Sequence, residues 1–185
     1  GHPVGHSLSP VMHNAAFAAA GYNGVYTAIP VRDIRPAVAG LSALGFRGAS
    51  ITIPHKQAVI ECLDEVEETA RRIKTVNTIV NCDGRLQGRN TDVVGAIDAL
   101  KEKTCLEGKS AAVMGAGGAA RAVAFGLTAA GGTVTIFNRG RARAEALAAE
   151  LGVGFKPLAE FTADGCDLLI NTTPVGTWPS PTASP

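Results

Sequence analysis

The segment AAVMGAGGAARAV, residues 111–123, constrains the fold more than any other stretch. An apolar run ends in Gly115-x-Gly117-x-x-Ala120, and a small-residue helical pattern follows it. In a strand–turn–helix unit the first glycine makes the tight turn and the second lets the backbone approach a pyrophosphate. The small third residue lets helix and strand pack closely, and the helix N-terminus faces the negative charge. A lone glycine pattern is weak evidence. This one sits in a βαβαβ run: strand SAAVMGA, helix GAARAVAFGLTAAG, strand TVTIFNR, helix RARAEALAAELG, a short strand near 153–156 and strand DLLINTT. Short connections and parallel alternation predict a Rossmann-type dinucleotide domain rather than a mere tight turn against a small-residue helix.

The end of the second strand of that run selects the nucleotide. An acid there would bind ribose hydroxyls and repel a 2′-phosphate. The sequence instead reads Phe137-Asn138-Arg139, with Arg141 and Arg143 close behind. Arginines pair with phosphate, so NADP is the expected cofactor. The plain alternative is a solvated basic helix start, but arginines at a helix N-terminus oppose its dipole.

Before this unit, strand-like and helix-like pieces also alternate, which predicts α/β architecture throughout. Ser9 suits an N-cap, with Pro10 in the first turn of a helix that Gly21 stops. VYTAIPV (25–31) reads as a strand, 33–44 as a helix ending at Gly45, and GASITI (48–53) as a strand with a short helix after Pro54. Residues 64–73 read as a charged helix. TVNTIVN and RLQGRN flank Cys82-Asp83-Gly84 as a hairpin, and 91–103 reads as a helix. A boundary near 104 gives two domains: 1–104, an α/β unit with a mixed sheet, and 105–185, the truncated dinucleotide unit.

Composition narrows the class. Apolar residues make up 46% and charged residues 18%, with a net charge of +1, so nothing points to nucleic acid or an acidic membrane as a partner. Cys62, Cys82, Cys105 and Cys166 are isolated and lack metal-ligand spacing, which reads as reduced, buried thiols in a cytoplasmic protein with no metal. No apolar run approaches the roughly 20 residues that span a bilayer. The start, GHPVGHSLSP, has no signal-peptide pattern. Both ends read as cut: residue 1 is not Met, and the chain stops in PSPTASP just after an apolar strand.

Candidate chemistry in the first half rests on residues that are each unremarkable singly. Lys56 follows Ile51-Thr52-Ile53-Pro54 and reads alone as a surface lysine. Thr91 or Asp92, in GRNTD, reads alone as a helix cap. Ser7-x-Ser9 puts two hydroxyls beside a helix start, and Asn77 interrupts an apolar strand, where a buried hydrogen bond would explain it.

Taken together, GHSLSPVMHN, ITIPHK, TVNTI, GRNTD, GAGGAARAV, NRGRAR and NTTPVG resemble shikimate dehydrogenase, in that family's order and nearly along the whole chain. GYNGVY, SITIPHK and NTDVVGAI also look like the dehydrogenase half of the bifunctional plant enzyme, which would place a fragment of that kind in plastids. The resemblance implies NADP-linked reversible reduction of 3-dehydroshikimate to shikimate, in aromatic amino-acid biosynthesis, by a cytoplasmic monomer or homodimer. It implies that Lys56 and Asp92 are catalytic, and that Ser7, Ser9, Thr52, Asn77 and Asp92 bind substrate. It also implies that Gly115, Ala116, Gly117, Gly118 and Ala119 form the diphosphate loop, and that Asn138, Arg139, Arg143 and Glu68 contact the cofactor. Ketone reduction builds negative charge on the carbonyl oxygen, which a held ammonium stabilises and protonates.

Departures from the family pattern are Ser50 for asparagine, Lys74-Thr75 for Gly-Ala, Gly140 for threonine and Thr177 for methionine. Two rivals remain. One is an NAD-linked quinate/shikimate dehydrogenase, against which Arg139 argues. The other is a non-catalytic metabolite sensor, against which the presence of both Lys56 and Asp92 argues.

Overall fold

A computed structural model describes residues 1–177 and 180–185; Pro179, which opens the PSPTASP tail, lies outside them. Two four-stranded sheets organise the chain. The first contains β1 (Gly48–Ser50), β2 (Glu65–Val66), β3 (Thr78–Cys82) and β4 (Arg85–Arg89) in the order β1-β3-β4-β2. It is mixed: β1 and β4 flank β3 antiparallel, and β2 runs parallel to β4. The β3–β4 hairpin turns at Asp83-Gly84, both with positive φ (53° and 91°). That two-residue turn matches the twist of the strands and fixes the register, with Cys82 opposite Arg85 and Thr78 opposite Arg89. Helix α2 (Ile34–Ala43) starts at Asp33, whose side chain accepts from the Arg35 amide. It buries Ile34 and Val38 in a core with Ile51, Val59, Ala70, Val76, Ile79 and Leu86.

The second sheet, β5 (Ser110–Met114), β6 (Thr133–Asn138), β7 (Gly154–Pro157) and β8 (Leu168–Asn171), is wholly parallel in the order β7-β6-β5-β8. Helices α5 (Gly118–Ala129) and α6 (Arg141–Leu151) cover one face of it around Val113, Ala124, Leu127, Ile136 and Leu147. That is the doubly wound strand order expected of a dinucleotide fold.

Helix α4 (Asp92–Lys101) joins the two sheets. Its Ile97 belongs to the core of the second sheet, and a Cβ at Gly126 of α5 would come within 2.5 Å of Ile97 Cγ1. The absence of a side chain at Gly126 is what lets the two helices approach. Ile73, at the end of α3 (Glu68–Arg72), is fully buried with Val93 and Ala122, and Arg72 lies over the Phe125 ring.

Five expectations need correction. The cysteines are not buried: Cys82 and Cys105, in a hairpin end and a connecting loop, are exposed, and Cys62 and Cys166 are half-buried. Residues 25–31 form no strand: Tyr26 is held by the Asn14 side chain and Val31 by the Gly1 carbonyl, and Val25 is 86% exposed. β-prone residues without a neighbouring ladder do not make a sheet. The strand from Gly48 stops at Ser50, and after Pro54 comes a turn and a 3-10 segment, Ala58–Cys62. The charged segment 64–73 is not one helix. Glu65 and Val66 pair with Gln87 and Gly88 at a sheet edge, where charges are tolerated, and only Glu68–Arg72 is helical. Helix α1 (Ser9–Ala19) begins at Ser9 itself, so Ser9 is not its cap; Ser7 Oγ accepts from the Ser9 amide at 3.2 Å.

An ion cluster ties the sheets across the molecule. Glu150 Oε1 lies 3.0 Å from Lys74 Nζ and 2.7 Å from Arg121 Nη1. The Arg121 approach is a charge contact rather than an aligned hydrogen bond, because that buried nitrogen has no well-directed acceptor. Lys74 has φ 50°, a left-handed conformation that glycine adopts more readily than lysine. Burial works against ionising Glu150, but the contacts and charges of Arg121 and Lys74 outweigh it and hold the carboxyl below its ordinary range. The stabilisation from this cluster is therefore present above the ordinary carboxylate pKa and is lost as pH falls through the lowered value. Glu150→Gln is expected to lower stability by about 1–3 kcal/mol at pH 7, between exposed and buried ion pairs. Thermal melts should show the gap from the unmodified protein narrowing as pH falls below the ordinary carboxylate range; a gap independent of pH would remove this role from Glu150.

Candidate active site

Lys56 is placed by the turn that leaves the first sheet. Its carbonyl accepts from Val76 N at 2.8 Å, and the Ile51 amide donates to Asn77 O at 2.7 Å, so the turn is stitched to the start of β3 on both sides. His55 is buried, and its Nε2–H donates to the Val31 carbonyl at 2.7 Å, pinning the turn from below. The lysine side chain, 18% exposed, then extends to Asp92, with Nζ 2.6 Å from Oδ2.

The other carboxylate oxygen of Asp92 accepts from Asn77 Nδ2 at 2.7 Å. Asn77 Oδ1 in turn accepts from the Thr91 amide at 3.0 Å and the Thr78 hydroxyl at 2.9 Å. The polar residue that interrupts an apolar strand is thus the hinge of a hydrogen-bond network. Neither Thr91 nor Asp92 caps α4 with its side chain. Asn90 does, its Oδ1 accepting from the Asp92 amide at 3.0 Å and the Val93 amide at 3.3 Å. Sequence reasoning passed over Asn90 and His55. An Asn two residues ahead of a helix was the available signal for Asn90; nothing local marks His55, whose partner lies 24 residues away.

Lys56 opens onto a cleft of about 620 Å³ between the two sheets. Thr52 and Pro54 line it from one side, and residues Gly115 to Ala119, Asn138, Arg139, Arg143 and Thr172 from the other. Gly115 has φ 113°, and a Cβ there would sit 2.7 Å from Thr172 Oγ1. Gly117 is extended with open space over it. A Cβ at Gly118 would meet Lys56 Cδ at 3.3 Å, so the loop and the lysine are neighbours. The first amides of α5 have no intrahelical partner by geometry and receive no side-chain cap. Arg141 is spent on Glu145 at 2.8 Å, whereas Arg139 and Arg143 form no ion pair among the described residues. Free amides, an open glycine surface and two uncommitted guanidinium groups suit a dinucleotide bearing an extra phosphate.

The remaining expected positions divide. Asn77 and Asp92 do not line the cleft but reach it through Lys56. Ser7 and Ser9 lie outside its lining; the segment carrying them is anchored to the Thr52–Ile53 turn by His2 N donating to Ile53 O. Glu68 is not brought to the cleft at all. It is exposed at the start of α3 and paired with Arg71 at 3.1 Å, because the short helix turns its charged face to solvent. Among the described residues no cluster of ligating side chains suits a metal, and no helix is long and apolar enough to cross a membrane. Gly115→Ala should lower stability by about 1–3 kcal/mol through backbone strain and the Thr172 clash; unchanged thermal melting would show that the loop relaxes freely.

Comparison with known proteins places this geometry. Residues 1–79 match the model described as shikimate dehydrogenase substrate binding domain, and residues 98–175 match the model described as shikimate / quinate 5-dehydrogenase. The chain is 50% identical to the NADP(+) shikimate dehydrogenase of Moorella thermoacetica, over 97% of this chain and 65% of that protein. A crystal structure of shikimate dehydrogenase in complex with NADP+ superposes with a TM-score of 0.93 at 43% identity, covering all of this chain and 68% of that one. The Thermus thermophilus shikimate 5-dehydrogenase, in complex with NADP(H) and shikimate, superposes at 0.89 with 45% identity, over 100% and 70%. The chain thus spans about two thirds of the length of these relatives. The matches run through both sheets and the cleft between them, and the chain belongs to the shikimate dehydrogenase family.

Proposed function

We propose that this chain forms the greater part of an NADP-dependent shikimate dehydrogenase, reversibly reducing 3-dehydroshikimate to shikimate for aromatic amino-acid biosynthesis. The observation that carries the reading is a lysine held by a carboxylate and facing a glycine loop flanked by two uncommitted arginines. Residues 1–104 bind substrate and 105–185 bind NADP. Cytoplasmic location and a monomeric or homodimeric state belong to the same reading.

When bound, NADPH supplies the hydride. The chain's residues do the rest. The Lys56 ammonium stabilises the developing alkoxide and gives it a proton; in the reverse direction the neutral amine takes the hydroxyl proton. Asp92 orients the amine, Asn77 holds Asp92, and both act on the substrate hydroxyls through Lys56. Thr52 supplies a further hydroxyl contact at the cleft wall. Ser7 and Ser9, on the segment that His2 anchors to Ile53, bind the substrate carboxylate. Residues Gly115 to Ala119 hold the diphosphate, and Asn138, Arg139 and Arg143 hold the adenosine 2′-phosphate side. Glu68, paired with Arg71 on the surface, has no part in this site as the chain is folded here.

The test is NADPH oxidation with 3-dehydroshikimate, using the chain extended to the length of its relatives, with NADH in parallel. Turnover should favour NADPH strongly. Preference for NADH would move the assignment to a quinate-type enzyme and take the 2′-phosphate role from Arg139. Tight shikimate binding without turnover would indicate the sensor. Arg139→Ala is expected to raise the KM for NADPH about tenfold or more, the scale of one charge-assisted bond, with that for NADH little changed. Lys56→Ala should lower kcat at least 10²-fold with NADPH affinity, measured by fluorescence, nearly intact; equal loss of both would deny Lys56 a chemical role.

A further inference from the structure

The Asp92 carboxylate can serve Lys56 and Asn77 only because something else satisfies the start of its own helix. An acid in the first turn is attracted to the free amides and positive dipole end there. Asn90 removes that competition. The residue is 3% exposed, and every polar group of its side chain is used. Oδ1 accepts from the Asp92 and Val93 amides, and Nδ2 donates to Thr75 O at 3.0 Å and Thr75 Oγ1 at 3.1 Å. Two N–H donors face one end of the amide and a carbonyl faces the other, which fixes its orientation. The Asn90 backbone amide is also committed, donating to Glu67 Oε1 at 2.8 Å.

Thr75, fully buried, extends the arrangement toward the nucleotide loop: a Cβ at Gly118 would lie 3.5 Å from Thr75 Cγ2 and 3.3 Å from Lys56 Cδ. One asparagine therefore sits behind both the carboxylate of the lysine pair and the residue that packs against the loop.

We propose that Asn90 is a positioning residue for the reduction: by capping α4 in place of Asp92, it leaves both carboxylate oxygens free, one to hold Lys56 and one to be held by Asn77. This rests on the shikimate dehydrogenase reading above. In the absence of the cap, the Asp92 carboxylate is drawn to its own helix amides and the lysine loses its orientation. The effect passes wholly through Asp92, and that separates it from general structural support.

A double-mutant cycle on kcat in the extended chain tests this, with thermal melts to confirm folding. Asn90→Ala should lower kcat about 10- to 100-fold in the unmodified background. In an Asp92→Asn background the same change should lower kcat less than about threefold, since the group it positions is already altered. Asn90→Ser keeps an acceptor for the two amides but loses the donors to Thr75, and should stay within about threefold of the unmodified kcat. Equal losses in the two backgrounds, or no loss, overturn the proposal. So does a folded Asn90→Ser variant as impaired as Asp92→Asn, an outcome that decides the matter even if the alanine variant does not fold. Absence of 3-dehydroshikimate turnover in the unmodified protein overturns the enzyme reading itself, and this inference with it.

Discussion

Cys82 pairs with Arg85 across a turn whose two residues both carry positive φ, and that pairing decides where Asn77 and Asp92 meet at the far end of the hairpin. With Thr78 opposite Arg89, the next residues on each strand are Asn77 and Asn90, and the chain enters α4 two residues later with Asp92 beside Asn77. A one-residue slip would turn Asn77 toward the other face of the sheet and strand the carboxylate. The Lys56 turn is bonded to the same strand end through Val76 and Asn77. Three residues far apart in sequence thus share one geometric origin, and rigidity of the hairpin becomes rigidity of the lysine pair.

The second sheet contributes a different kind of order. It offers backbone rather than side chains: an open glycine surface, the free amides at the start of α5, and strand ends that bring Asn138, Arg139 and Thr172 to one edge. Charge is sorted there by pairing. Arg141 is neutralised by Glu145 on its own helix, while Arg139 and Arg143 keep their charge for the cleft. Both arginines are exposed at the cleft, so their pull on a phosphate is screened by solvent and weakens with added salt.

Much of this could be read from the sequence. The βαβαβ run, the glycine loop and the hairpin have short-range signatures: fixed spacing, a period, a turn dipeptide. What failed was information about neighbours. Residues 25–31 have the composition of a strand, and composition does not say whether a partner ladder is present. The acidic 64–67 segment looks helical until Leu86 and Gly88 supply backbone partners 22 and 21 residues away. At the site, Lys56, Asp92 and Asn77 were legible only as members of a resemblance, since each alone has a bland explanation. Asn90 went unnoticed beside them because two other capping types, Thr91 and Asp92, stood nearer the start of the helix. Glu68 was carried over by position, and its surface pair with Arg71 is a tertiary fact that no local pattern contains.

The contact between Gly118 and the methylene stem of Lys56 bears on modularity. Dinucleotide-binding units are often regarded as interchangeable cassettes, joined to whatever supplies the chemistry. Here the cassette's own backbone forms a wall of the lysine's sheath. A substitute unit with any side chain at that point would have to displace the Lys56 stem by a few tenths of an ångström. The two halves of this fold are therefore co-adapted parts, and exchange between homologues should be tolerated only where the glycine and the lysine travel together.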